Sequence, residues 1–76
     1  MEQFLEFITK HLVDKPDQVA LAQEEKDGKL VFKLKVADQD MGKVIGKKGR
    51  TAQALRTLLV AVAAKEGKRA ILEILD

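Results

Sequence analysis

Residues Ile45-Gly46-Lys47-Lys48-Gly49 place two glycines on either side of two lysines. A glycine pair at this spacing lets the backbone turn tightly and leaves its N–H groups uncovered, so that phosphate oxygens can approach closely. Lys47 and Lys48 supply positive charge. The residues that follow, Arg50-Thr51-Ala52-Gln53-Ala54-Leu55, form helices well. The loop is therefore expected at a helix N-terminus, where unpaired amides and the macrodipole already favour anions. Geometry and charge both point to a clamp for nucleic-acid phosphates.

The charge distribution agrees with that chemistry. The chain has 76 residues and a net charge of +2, yet residues 1 to 40 carry nine acids and six bases, whereas residues 41 to 76 carry three acids and eight bases. Between Lys43 and Arg56 there are five bases (Lys43, Lys47, Lys48, Arg50 and Arg56) and no acid. The positive field is centred on the glycine loop, as expected of an electrostatic footprint for a polyanion. The competing reading is a solvated basic face.

The elements that must position the loop follow from periodicity. Phe4, Leu5, Ile8 and Leu12 recur at helical spacing, with Phe7 widening the stripe, and predict a helix from about Glu2 to Val13 that ends at Asp14-Lys15-Pro16. Val19 and Leu21 begin a strand. After Asp27-Gly28, a favoured hairpin turn, Leu30, Phe32, Leu34 and Val36 share one face of a second strand. Asp38 or Asp40 can cap a short helix that runs through about Val44. The Gly46 to Gly49 loop interrupts it, a third helix spans about Arg50 to Lys65, Glu66-Gly67-Lys68 stops that helix, and Arg69 to Leu75 closes as a strand. The order is α-β-β-α-α-β, read as one domain over residues 1–76.

Other phosphate-binding motifs do not fit. A Walker A loop needs four residues between its glycines and a hydroxyl after the lysine, and Gly42 to Lys48 supplies neither. The dinucleotide fingerprint needs three glycines after a strand, whereas a helix precedes this loop. What remains is Gly-x-x-Gly joining two helices.

In that context the chain resembles the K-homology (KH) domain in its bacterial, type II arrangement, and specifically the KhpA family of small single-KH proteins. Met41-Gly42-Lys43-Val44-Ile45-Gly46-Lys47-Lys48-Gly49-Arg50-Thr51 carries the resemblance, which covers essentially the whole chain. It implies an α+β fold, a three-stranded mixed sheet backed by three helices, binding about four nucleotides of single-stranded RNA in a narrow groove. Transferred to this sequence, it implies that Gly46, Lys47, Lys48 and Gly49 hold the phosphate backbone, that Val44 and Ile45 line an apolar floor, and that Lys43 and Arg50 extend the charged rim. The exposed edge of the last strand, around Ile71, Leu72 and Glu73, would read base edges through backbone groups. Family members with acids at the two middle loop positions tend to lose binding, and here both are lysine.

Elsewhere the chain offers little chemistry. His11 is alone and is read as a boundary residue. Glu24 and Glu25 are adjacent on a strand, so they point to opposite faces and cannot act as an acid/base pair. No metal or cofactor is expected. Phe4, Phe7 and Phe32 are all read as core residues, and Tyr and Trp are absent, which disfavours an aromatic-platform reader of RNA. The chain lacks cysteine, an apolar run of membrane-spanning length and a basic, apolar N-terminal leader, so a cytoplasmic protein is expected, without a membrane partner.

Leu58 to Ala64 is seven apolar residues in succession on the third helix. A helix packed on one sheet needs only a stripe such as Leu55, Leu59 and Val62. The surplus surface, about Leu58 with Ala54, Ala61 and Val62, is expected to form a symmetric dimer contact. The resemblance implies self-association and pairing with a larger KH-containing protein of the KhpB type. Two readings follow: a non-enzymatic RNA-binding regulator or chaperone, linked by the resemblance to cell division and cell-wall growth, or a protein-interaction module acting through the third helix.

Overall fold

Asp27 and Gly28 both adopt positive φ, 53° and 76°, which is the backbone a two-residue hairpin turn of matching twist requires. In the computed structural model, which describes residues 2–75, this turn joins β1 (Ala20–Lys26) to β2 (Lys29–Lys35). Helix α1 (Glu2–Leu12) precedes them, and α2 (Met41–Ile45), α3 (Arg50–Lys65) and β3 (Arg69–Leu75) follow. Strand β2 is central: β1 runs antiparallel on one side, and β3 runs parallel on the other. The parallel pairing needs a crossover, which α2, the glycine loop and α3 provide. The fold is the expected α+β arrangement of three helices and a three-stranded mixed sheet.

One face of β2 supplies the middle of the core. Leu30, Phe32 and Leu34 pack with Leu72 of β3, Leu5 of α1, Val44 of α2, and Leu55 and Leu59 of α3. Helix α3 turns Ala52, Leu55, Leu59 and Ala63 inward at steps of three and four residues, while Val62 is only half-buried. It stops where Gly67 enters the left-handed region, with the Gly67 amide donating to Ala64 O and the Lys68 amide to Ala63 O, both at 3.0 Å. That pair of bonds is a Schellman cap, and it turns the chain into β3.

The first helix is rotated relative to the sequence reading. Leu5 and Thr9 are its buried residues, with Ile8 and Leu12 beside them. At about 100° per residue Phe7 falls on the far side of that stripe, and it is 63% exposed. Phe4 is exposed as well, so only Phe32 of the three phenylalanines is a core residue. Thr9 is accommodated because its hydroxyl donates to Leu5 O at 2.8 Å. His11 is exposed rather than at a boundary. Its Nδ1–H donates to Phe7 O at 2.9 Å, and its ring stands 4.4 Å from that of Phe7.

Asp38 and Asp40 do not cap α2 through their side chains. They form a single 3-10 turn before the helix, and Asp40 is fully buried. Its Oδ1 accepts from the Asp14 amide at 3.1 Å and its Oδ2 from the Lys15 amide at 3.0 Å. A helix of five residues has no stability of its own. Asp40 fixes its start to the segment after α1, and Val44 anchors its last turn in the core.

Candidate nucleic-acid interface

Helix α2 ends at Gly46, whose amide donates to Gly42 O at 2.8 Å. Gly46 has φ 77° and ψ 173°, a combination open in practice to glycine alone. A Cβ built on Gly46 would lie 2.2 Å from Thr51 Oγ1, 2.7 Å from Thr51 Cβ and 2.8 Å from the Thr51 backbone nitrogen. The loop thus folds back on the first turn of α3 so closely that no side chain fits between them. Gly49 differs. It has φ 73° and ψ 14°, but an added Cβ would meet nothing within 4 Å. The second glycine serves backbone conformation, and the first serves conformation and close approach.

Between them Lys47 to Gly49 form a 3-10 turn in which Lys48 adopts φ 58° and ψ 26°. A lysine in the left-handed region costs about 1 kcal/mol or more, and such strain gathers at sites of function. The Gly49 amide donates to Gly46 O at 3.1 Å and the Arg50 amide to Lys47 O, so the amides of Lys47 and Lys48 stand ahead of the bonded series, as at any helix start. Helix α3, sixteen residues long, adds its N-terminal partial positive charge behind them. Lys47, Lys48 and Arg50 are exposed, and among the described residues none of them forms an ion pair. The arrangement can take up an anion through backbone donors and three free cations at once.

The remaining residues singled out in the sequence separate into groups. Ile45 is 39% exposed beside the loop, whereas Val44 is fully buried and supports the floor from beneath instead of lining it. Lys43 is engaged elsewhere: its Nζ contacts Asp14 Oδ2 and lies 3.9 Å from Asp40 Oδ1. Its charge is taken up by two carboxylates, so it adds little to the rim. Strand β3 is an edge of the sheet. Ile71 is exposed there, while the Leu72 side chain is buried in the core, which leaves Leu72 only its backbone to offer. On α3, Ala54, Leu58 and Ala61 are exposed and Val62 is half-buried. The buried carboxylate of Asp40 was the feature that sequence reasoning misassigned. Its partners lie 25 and 26 residues away, beyond the reach of any local pattern.

No group of three or more His, Cys, Asp and Glu gathers among the described residues as a metal-ligand set, and no described helix is long and apolar enough to cross a membrane. Residues 2–74 match the family model described as KhpA/KhpB, KH domain. The RNA-binding protein KhpA of Clostridium acetobutylicum is 51% identical over 75 residues, covering 99% of this chain and all of the relative. The RNA-binding protein KhpA of Listeria monocytogenes is 49% identical, with both chains covered in full. That of Chlamydia trachomatis is 46% identical, over the whole of this chain and 97% of the relative. With the loop geometry and the mixed sheet in place, the chain belongs to the KhpA/KhpB KH-domain family.

Proposed function

We propose that the protein binds single-stranded RNA without catalysing a reaction, and that the Gly46-Lys47-Lys48-Gly49 loop holds the phosphate backbone. The observation that carries this reading is the pair of unpaired lysines on a glycine-bracketed turn at the N-terminus of α3, one of them held in the left-handed region. Relatives that match along their whole length are RNA-binding proteins, which supports the same ligand. Ile45 and Arg50 flank the loop, and the open edge of β3 at Ile71 and Leu72 offers backbone groups to bases. Reading of that kind over about four nucleotides gives modest sequence specificity. A regulatory or RNA-chaperone role in the cytoplasm, tied to cell division and cell-wall growth and exercised with a KhpB-type partner, is the physiological setting that the family resemblance supports.

Fluorescence anisotropy with a mixed-sequence single-stranded RNA pool tests the loop. The Lys47→Asp, Lys48→Asp double variant should lose about 100-fold in affinity, from two charge-assisted contacts, while circular dichroism stays unchanged because both side chains are exposed. Equal binding by both proteins would remove the loop from the binding site.

A second reading is favoured by α3. Leu58 is 46% exposed with Ala54 and Ala61 beside it, an apolar flank suited to a two-fold contact with a second copy or with a KH-containing partner. Leu58→Lys should shift sedimentation from dimer to monomer. A monomeric wild type would contradict this reading and leave the first intact.

A further inference from the structure

Near the C-terminal end of α3, away from the glycine loop, a depression of about 400 Å³ opens between the helix and the start of β3. Val60, Ala64 and Ile71 give it apolar walls, and Lys29, Lys68 and Arg69 surround it. The sheet register adds a second observation. Lys26 is the cross-strand partner of Lys29, and Lys29 is the partner of Arg69, so three cations stand in one row across the full width of the sheet. Leu30, Phe32 and Leu34 face the core, so the alternating residues of this row lie on the opposite face. Like charges directly opposite one another destabilise a sheet. Four residues along β2, Lys33 is treated differently: it is the partner of Glu73 and pairs with Glu24 at 3.3 Å. No described acid forms an ion pair with Lys26, Lys29, Lys68 or Arg69. The row is unfavourable for the fold alone and favourable for an anion.

Helix α3 connects this corner to the loop. Gln53, Arg56, Val60 and Ala64 recur at steps of three and four, and all are exposed, so they form one continuous flank. From Gly49 to Val60 that flank spans roughly 16 Å at 1.5 Å per residue. Ala54, Leu58 and Ala61 lie on the other side of the helix. A strand of nucleic acid can therefore follow the first flank without meeting the apolar surface on the second.

We propose that the corner is a second phosphate-binding site for the same single strand, next to the Ile71 edge where the first groove ends, with Lys29, Lys68 and Arg69 holding phosphates and a base resting against Val60 and Ala64. The inference rests on the RNA-binding reading above and extends it: the footprint runs past the four nucleotides that one KH groove accommodates.

The test compares a four-nucleotide and a ten-nucleotide RNA of mixed sequence by anisotropy over a range of salt, using wild type and the Lys29→Gln, Lys68→Gln, Arg69→Gln triple variant. The variant relieves the like-charge row, so its thermal midpoint should be equal to or above that of wild type. The expected result is about tenfold weaker binding of the ten-mer and a log–log salt slope smaller by about 2, because three phosphates go unneutralised at about 0.7 each, with the four-mer unaffected. An unchanged ten-mer affinity and slope would overturn the second site while leaving the loop reading intact. Wild type that binds neither RNA would overturn both. Binding of a decaglutamate peptide that the triple variant loses, with no change in ten-mer binding, would give the corner to an acidic protein partner and overturn the proposal as well.

Discussion

Helix α2 is five residues long, with Lys43 at its middle and Lys47 and Lys48 just past its end, yet its two flanks dispose of charge in opposite ways. At its start Asp40 is buried, two backbone amides donate to it, and Lys43 is drawn onto Asp14 and towards Asp40. The charges of Asp40 and Lys43 both have internal partners. At its end Lys47 and Lys48 sit on a strained turn with no described acid in contact. The first end fixes the helix to the rest of the molecule, and the second presents what is left over. Charge counted along a sequence is therefore a poor measure of charge available to a ligand, because Lys43, Lys47 and Lys48 count alike and only two of them are free.

The largest expected effect lies at the anchored end. Asp40→Ala leaves the Asp14 and Lys15 amides without their acceptor and should cost about 3 kcal/mol, lowering the thermal midpoint by roughly 15 °C. A loss below about 1 kcal/mol would show that α2 is held by Val44 alone. Next, Gly46→Ala places a methyl against Thr51 and strains φ, and should cost at least about 2 kcal/mol, whereas Gly49→Ala meets open space and should cost about 1 kcal/mol. Equal losses in chemical denaturation would mean that the close approach to Thr51 contributes nothing. The smallest effect has the opposite sign. Lys48→Gly relieves the left-handed backbone and should leave stability equal or raise it by up to about 1 kcal/mol, while RNA affinity falls. A variant that is less stable and binds as well would deny that strain at this position serves binding.

Much of this arrangement was legible in the sequence where a local rule determined it. The α3 boundaries, the Asp27-Gly28 turn and the span of β3 follow from glycine positions and alternation, and the structure places them at those residues. The Gly46 loop was legible for the same reason, since its chemistry is carried by adjacent residues. What escaped depends on residues far apart in the chain. Asp40 has the composition of a helix cap, and only the return of Asp14 and Lys15 to its side makes it a buried acceptor. Lys43 belongs to the basic stretch by sequence and to an acidic pair by folding. Phe7 has the hydrophobicity of a core residue, but the stripe on α1 is centred on Leu5 and Thr9, and an apolar count gives Thr9 no weight.

The division of labour between the two ends of α2 is tested most directly by the salt dependence of RNA binding for wild type, Lys43→Ala, and the Lys47→Ala, Lys48→Ala double variant. Each phosphate that a variant no longer neutralises on a single strand should reduce the log–log slope by about 0.7, so the double variant should fall by about 1.4 and Lys43→Ala should keep the wild-type slope. A slope reduced as much by Lys43→Ala as by the loop variant, or left unchanged by both, would contradict the claim that one end of α2 serves structure and the other binding.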